Sequence, residues 1–207
     1  MIGRIALISS FLLIVIAFGV YGIVHSLLAS FKAKDLADAW LGPVGRKWFR
    51  MAYNIFATIS LLPVLALAVI LPDRAFYNVL SPWSVILFLM QLVGVGISIF
   101  AVAQTDLLHF AGVRQLVEKT DATAHHHLET GGLYRYVRHP IYSGGLLFLW
   151  ASPEMSWNSL ALKAAFTLYF IFGAMVEEKK LVSEFGDAYR AYRMRTPMLI
   201  PGLKKPA

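Results

Sequence analysis

A chain of 207 residues that is 58% hydrophobic, 15% charged and has a mean hydropathy of +0.63 carries more apolar surface than a soluble domain of this size buries. The absence of cysteine excludes a disulfide framework, a thiolate nucleophile and cysteine-ligated metal. The net charge of +7 would suit nucleic acid, but the basic residues neither cluster on a soluble face nor alternate with exposed aromatics, so membrane topology accounts for them and no nucleic-acid partner is expected.

Apolar runs at about 5–28, 51–71, 83–103, 141–152 and 159–176 predict an all-α integral membrane protein of about five transmembrane helices, forming a single transmembrane domain over 1–207. The first run exceeds a signal-peptide core and has no Ala-x-Ala-like cleavage site, so it reads as a retained span. The fourth is too short to cross alone. With the Ser152-Pro153-Glu154-Met155 turn it makes a tight hairpin with the fifth, the mismatch being taken up by tilt or local thinning.

Lysine and arginine set the orientation. Residues 31–50 hold five of them, 104–138 hold four and the tail after Val176 holds seven; only Arg4, Arg74 and Lys163 lie in the opposite set of segments. The positive-inside rule puts the N-terminus outside and the C-terminus in the cytoplasm. After the fifth span, Leu181, Phe185, Ala188, Tyr189 and Tyr192 recur at steps of three and four among charged residues. That spacing predicts a C-terminal cytoplasmic amphipathic helix, lying along the inner face or covering what opens there, and stopped by Pro197 and Pro201.

Polar residues concentrate at the inner ends of the last two spans. The stretch from Gly131 to Gly144 contains Gly132, Tyr134, Arg135, Tyr136, Arg138, His139, Pro140 and Tyr142. Two glycines permit close backbone approach, Pro140 suits the first turn of a helix, and the unpaired amides there would favour an anion. The same arginines and tyrosines also fit a membrane-interface belt. Glu177 and Glu178 follow the last apolar run directly; carboxylates at that depth pair or do work, and Glu177 could pair with Lys180 one turn on.

His139 titrates in a range useful for acid–base chemistry. His25 sits at the inner end of span one, Tyr53 and Asn54 near the start of span two, and Gln104 and Asp106 at the end of span three. These either line one cavity or face water as separate helix ends. His125, His126 and His127 read as a solvated loop, because consecutive histidines diverge and no carboxylate completes a site; no metal is expected.

Gly132-x-Tyr134-x-x-x-Arg138-His139-Pro140-x-Tyr142-x-Gly144, followed by Glu177-Glu178-x-x-Leu181-x-x-x-Phe185-Gly186-x-x-Tyr189-x-x-Tyr192 and Pro197-x-Leu199-x-Pro201, resembles the isoprenylcysteine carboxyl methyltransferase and phospholipid methyltransferase class. His25-Ser-Leu-Leu-Ala-Ser, Arg50-x-x-Tyr53-Asn54 and Asp106-x-x-x-Phe110-x-Gly112-x-Arg114-Gln115 look more like its bacterial branch, with methanethiol S-methyltransferase and NnrU-type membrane proteins. The resemblance implies an S-adenosylmethionine-dependent methyltransferase in a bacterial inner membrane, its cofactor region at 130–201. It implies cofactor binding by Gly132, Tyr134, Arg138, His139, Pro140, Tyr142, Glu177 and Glu178. Catalytic candidates are His139, Asp106 and His25, and candidates for binding substrate are Tyr53, Asn54, Gln104 and Arg114. The expected acceptor is a small hydrophobic nucleophile such as a thiol, met at the lipid bilayer. A prenylcysteine carboxylate or a phospholipid amine is the alternative; a non-catalytic membrane component and an NADPH-dependent membrane reductase are the rival classes.

Overall fold

The computed structural model describes residues 2–105 and 128–203, so Asp106, Arg114 and the three consecutive histidines lie outside the described residues. In chain order the elements are α1 (Ile2–Leu28), α2 (Phe31–Ile70), β1 (Ala75–Asn78), α3 (Trp83–Gln104), a 3-10 turn (Gly132–Arg135), α4 (Pro140–Trp150), β2 (Glu154–Ser156) and α5 (Trp157–Arg195). The protein is an all-α membrane protein, with one small two-stranded sheet among the described residues, β1 beside β2.

Four described helices are long and apolar enough to cross a membrane, within Gly3–Leu28, Trp48–Ile70, Trp83–Gln104 and Trp157–Arg195. α4, with 11 residues, is shorter. At about 1.5 Å per residue it reaches about 16 Å, roughly half of a hydrocarbon core. The fourth of the five expected runs is therefore a half-length helix.

Two of the long helices are broken by glycine. Gly42 in α2 (φ 57°) and Gly186 in α5 (φ 55°) take backbone angles that only glycine adopts without strain, so each helix changes direction there. α2 thereby gains a first segment back to Phe31, opened by the Ser30 side chain, which accepts from the Ala33 amide at 3.3 Å. The expected amphipathic segment after Val176 is the continuation of α5, turned at Gly186.

The described residues form two compact units. One takes in residues 2–77 and 155–165. Its staple is Asn158, fully buried at the start of α5: its side-chain amide donates to the carbonyls of Ala68 (3.4 Å) and Leu71 (3.1 Å) at the end of α2, while its backbone amide donates to Asp73 (3.0 Å). The open carbonyls of a helix end are thus satisfied from another helix.

The other unit takes in residues 78–105, 128–154 and 166–203. Here α3 and α4 touch backbone to backbone: a Cβ on Gly94 would stand 2.6 Å from the Gly144 carbonyl oxygen, and one on Gly144 2.5 Å from that of Gly94. Ser98 fills the seam, donating within reach of the Gly94 and Ile141 carbonyls, both at 3.1 Å. Gln91 donates to the Phe148 carbonyl at 2.9 Å, covering an exposed acceptor near the end of α4. Small residues bring helices together in this way where lipid supplies no hydrophobic drive. The contact fixes the start of α4, and with it His139.

Candidate functional site

The site is built where the chain enters α4. Gly132 opens the 3-10 turn with φ 49°, and the space a Cβ would need there is taken by the Gln104 side-chain amide. The Gln104 oxygen accepts from the Leu133 amide at 3.0 Å, so this substrate-binding candidate is committed to holding the turn. Glu129 closes the other side, accepting from the Gly131 amide at 2.7 Å. The Tyr134 carbonyl accepts from the Tyr192 hydroxyl at 2.5 Å, tying the turn to the last part of α5. Burial, then the negative charges of Glu177 and Glu129, push the Tyr134 phenol up to about 12, so it stays neutral at physiological pH.

Two amides just ahead of α4 are paired with the segment after α5. The Arg138 amide donates to the Pro197 carbonyl (2.9 Å), the His139 amide to the Met198 carbonyl (3.1 Å), and the Ser143 hydroxyl to the Leu199 carbonyl (2.6 Å). The segment after α5 is thus pinned to the residues that lead into α4 and to its first turn.

Arg138 ties the same segment to the acidic pair. Its Nε donates to Glu178 Oε1 at 2.6 Å, its terminal nitrogens meet that carboxylate oxygen again, and they also donate to the carbonyls of Arg193 and Thr196. One planar fork serves a carboxylate and two backbone acceptors, which a lysine could not do. Arg193 Nε stands 3.6 Å from the other Glu178 oxygen.

His139, whose side chain is only 4% exposed, lies between the two glutamates: Nδ1 is 3.5 Å from Glu177 Oε2 and Nε2 is 3.5 Å from Glu178 Oε1. These are charge contacts, longer than good hydrogen bonds. Burial by itself would lower the imidazole pKa, but the two carboxylates outweigh it and raise the value above the ordinary one. A larger share is therefore protonated near neutral pH. The His139 ring stacks on Tyr142 (centroids 5.6 Å apart), and Tyr142 stacks on Phe170 (5.2 Å), giving an aromatic wall beside the carboxylates. The Tyr142 hydroxyl donates to Glu177 Oε2 at 3.3 Å. Pro140 is fully buried in the first turn of α4.

Gly132, Tyr134, Arg138, His139, Pro140, Tyr142, Glu177 and Glu178 all belong to this one unit. His25, Tyr53 and Asn54 belong to the other. There the Tyr53 hydroxyl meets the His25 ring nitrogens, at 2.7 Å from Nε2, and the Tyr21 ring also lies beside His25 (centroids 5.6 Å apart). Asn54 follows Tyr53 on α2, half-buried. Sequence reasoning missed Arg193, Thr196 and Ser143. Pro197 and Leu199 were visible in the C-terminal motif, but the contacts they make are through backbone carbonyls, which leave no mark on residue identity.

Among characterised proteins, methanethiol S-methyltransferase 1 of Bradyrhizobium diazoefficiens is 32% identical over 87% of this chain and 63% of its own length. Methanethiol S-methyltransferase of Crocosphaera subtropica is 28% identical over 97% of this chain and 78% of its own. The protein-S-isoprenylcysteine O-methyltransferase of Schizosaccharomyces pombe is 35% identical over half of this chain, 50%, and 51% of its own. The chain thus spans a little under two thirds of the Bradyrhizobium relative. No solved structure matches. Residues 34–196, including the side chains of Arg138, His139, Glu177 and Glu178, match the profile of a family described as a protein of unknown function, DUF1295, and the chain belongs to that family.

Proposed function

We propose that this protein is an S-adenosylmethionine-dependent methyltransferase that methylates a small thiol at the membrane. The observation carrying this reading is the joining of two distant motifs, Arg138-His139-Pro140-x-Tyr142 and Glu177-Glu178, in one ionic cluster. The methanethiol S-methyltransferase names of relatives aligned over most of the chain point the same way. The donor set suits the cofactor: carboxylate oxygens for an ammonium or ribose hydroxyls, with an aromatic wall alongside for a cationic centre. Residues 130–201 would hold it, through Gly132, Tyr134, Arg138, His139, Pro140, Tyr142, Glu177 and Glu178, within a single transmembrane domain.

When bound, the cofactor supplies a methyl group already made electrophilic by its sulfonium. The chain has to align the thiol sulfur with that methyl, exclude water and accept the thiol proton. The transfer would move that methyl group to the acceptor sulfur and release a neutral thioether, with the thiol proton passing to a group of the chain. His139, held between two carboxylates, suits a fixed positive charge better than a proton acceptor. His25, hydrogen-bonded to Tyr53, has the chemistry for that step, with Asp106 as the second candidate; Asn54 and Arg114 are proposed to contact the acceptor.

The thiol reading is favoured over a prenylcysteine because the thiol-methylating relatives align over much more of the chain than the Schizosaccharomyces protein does. The bacterial relatives support a bacterial inner membrane, and the lysine and arginine distribution supports an N-terminus outside. Purified protein incubated with methyl-labelled S-adenosylmethionine and separate thiol, prenylcysteine-analogue and phospholipid acceptors should label the thiol. Binding of NADPH with no label on any acceptor would sink the assignment.

A further inference from the structure

The two adjacent glutamates are not equivalent. One helical residue step turns a side chain by about 100°, so the two carboxylates meet different nitrogens of His139 and have different surroundings beyond it. The Glu178 side chain is 10% exposed and surrounded: Oε1 receives Arg138 and stands 3.5 Å from His139, and Oε2 stands 3.6 Å from Arg193. The Glu177 side chain is 49% exposed, and only its Oε2 is engaged, by the Tyr142 hydroxyl at 3.3 Å and His139 at 3.5 Å. Among the described residues its Oε1 has no hydrogen-bond partner. A carboxylate offers about four acceptor positions, so Glu178 has little left to give while Glu177 retains most of its capacity.

We propose that Glu177 is the carboxylate that meets a positively charged group of the bound cofactor, and that Glu178 is a positioning residue that acts through Arg138 to hold residues 193–199 against the start of α4. The proposal deepens the cofactor reading above and rests on it. The cation would be either the ammonium or the sulfonium of S-adenosylmethionine. Glu178 is already matched by cations of the chain itself, so a further cation there would displace Arg138 or Arg193.

The test uses full-length protein in detergent and three ligands: S-adenosylmethionine, with both cations; S-adenosylhomocysteine, with the ammonium alone; and 5′-methylthioadenosine, with neither. Glu177→Gln should raise Kd for S-adenosylmethionine about tenfold or more and leave 5′-methylthioadenosine within about threefold of wild type. A loss shared by S-adenosylhomocysteine identifies the ammonium, and a loss confined to S-adenosylmethionine identifies the sulfonium; both support the proposal. Glu178→Gln, or Arg138→Lys where that variant fails to fold, should weaken all three ligands by a common factor and speed amide exchange in residues 193–203.

The division is overturned if Glu177→Gln weakens 5′-methylthioadenosine as much as S-adenosylmethionine, if it changes no affinity, or if the Glu178 or Arg138 variant gives the cation-selective loss. Wild-type protein that binds none of the three overturns the cofactor reading and the division together.

Discussion

Arg138 and Glu178, forty positions apart in sequence, are joined by the guanidinium Nε donating to the carboxylate at 2.6 Å, both side chains about 10% exposed. A buried pair of this kind adds modest stability when intact, but removing one partner leaves a charge in a poorly solvated place. Arg138→Ala should therefore lower stability by about 3–5 kcal/mol, and Arg138→Lys by less but measurably, because the lysine cannot also reach the Arg193 and Thr196 carbonyls. Thermal unfolding of the detergent-solubilised protein checks both.

The raised pKa of His139 has a definite sign in stability. A group more readily protonated when folded adds stability in full below its unfolded value, about 6.5, and loses it as pH rises through the folded value. The groups facing His139 are Glu177 and Glu178, with Arg138 bound to Glu178 and Tyr142 stacked on the ring. Wild type should thus lose melting temperature as pH rises above about 6.5, relative to His139→Gln. Parallel melting curves of the two proteins would contradict this.

The α3–α4 seam supplies a matched pair of substitutions. Gly144→Ala places a methyl group 2.5 Å from the Gly94 carbonyl and Ser98 Oγ, where backbone must move, and should cost about 1–3 kcal/mol. Gly96→Ala, on the same helix as Gly94, meets nothing within 4 Å and should be neutral or stabilising by about 0.5–1 kcal/mol. Chemical unfolding of the two variants measures the contrast.

Gly186→Ala addresses the turn in α5. Its Cβ meets nothing within 4 Å, so the whole cost is the backbone conformation at positive φ, about 1–3 kcal/mol. Because the bend aims Tyr192 at the Tyr134 carbonyl, the variant should also weaken cofactor binding, read by titration.

For the chemical step, His25→Ala should lower kcat for thiol methylation about 10²–10⁴-fold with little change in the Kd of S-adenosylmethionine. Tyr53→Phe should give a smaller fall in kcat, since the imidazole survives and only its hydroxyl partner is lost. Single-turnover kinetics separate these from binding defects.

Much of this architecture was readable from hydropathy. The runs at 5–28, 51–71 and 83–103 coincide closely with helices because a continuous apolar stretch has few alternatives in lipid. The Arg138–His139 and Glu177–Glu178 clusters were legible as candidates because their residue types are expensive at membrane depth. The bends at Gly42 and Gly186 were not, since an isolated glycine is compatible with an unbroken helix. Nor were the different settings of Glu177 and Glu178, which depend on how α5 is rotated against its neighbours. The Gln104 contact with Leu133 escaped notice because a glutamine at a helix end is equally at home in water.

The bonds from the Arg138 and His139 amides to the carbonyls of Pro197 and Met198, just ahead of α4, bear on the order of biosynthesis. Each partner stands 59 positions further along the chain, so the Arg138 and His139 amides must wait for residues synthesised later. The site is therefore finished late, when α4 is already placed. A bulky fusion joined close behind Leu199 would interfere at that last stage, disturbing the site while leaving insertion of the earlier helices intact.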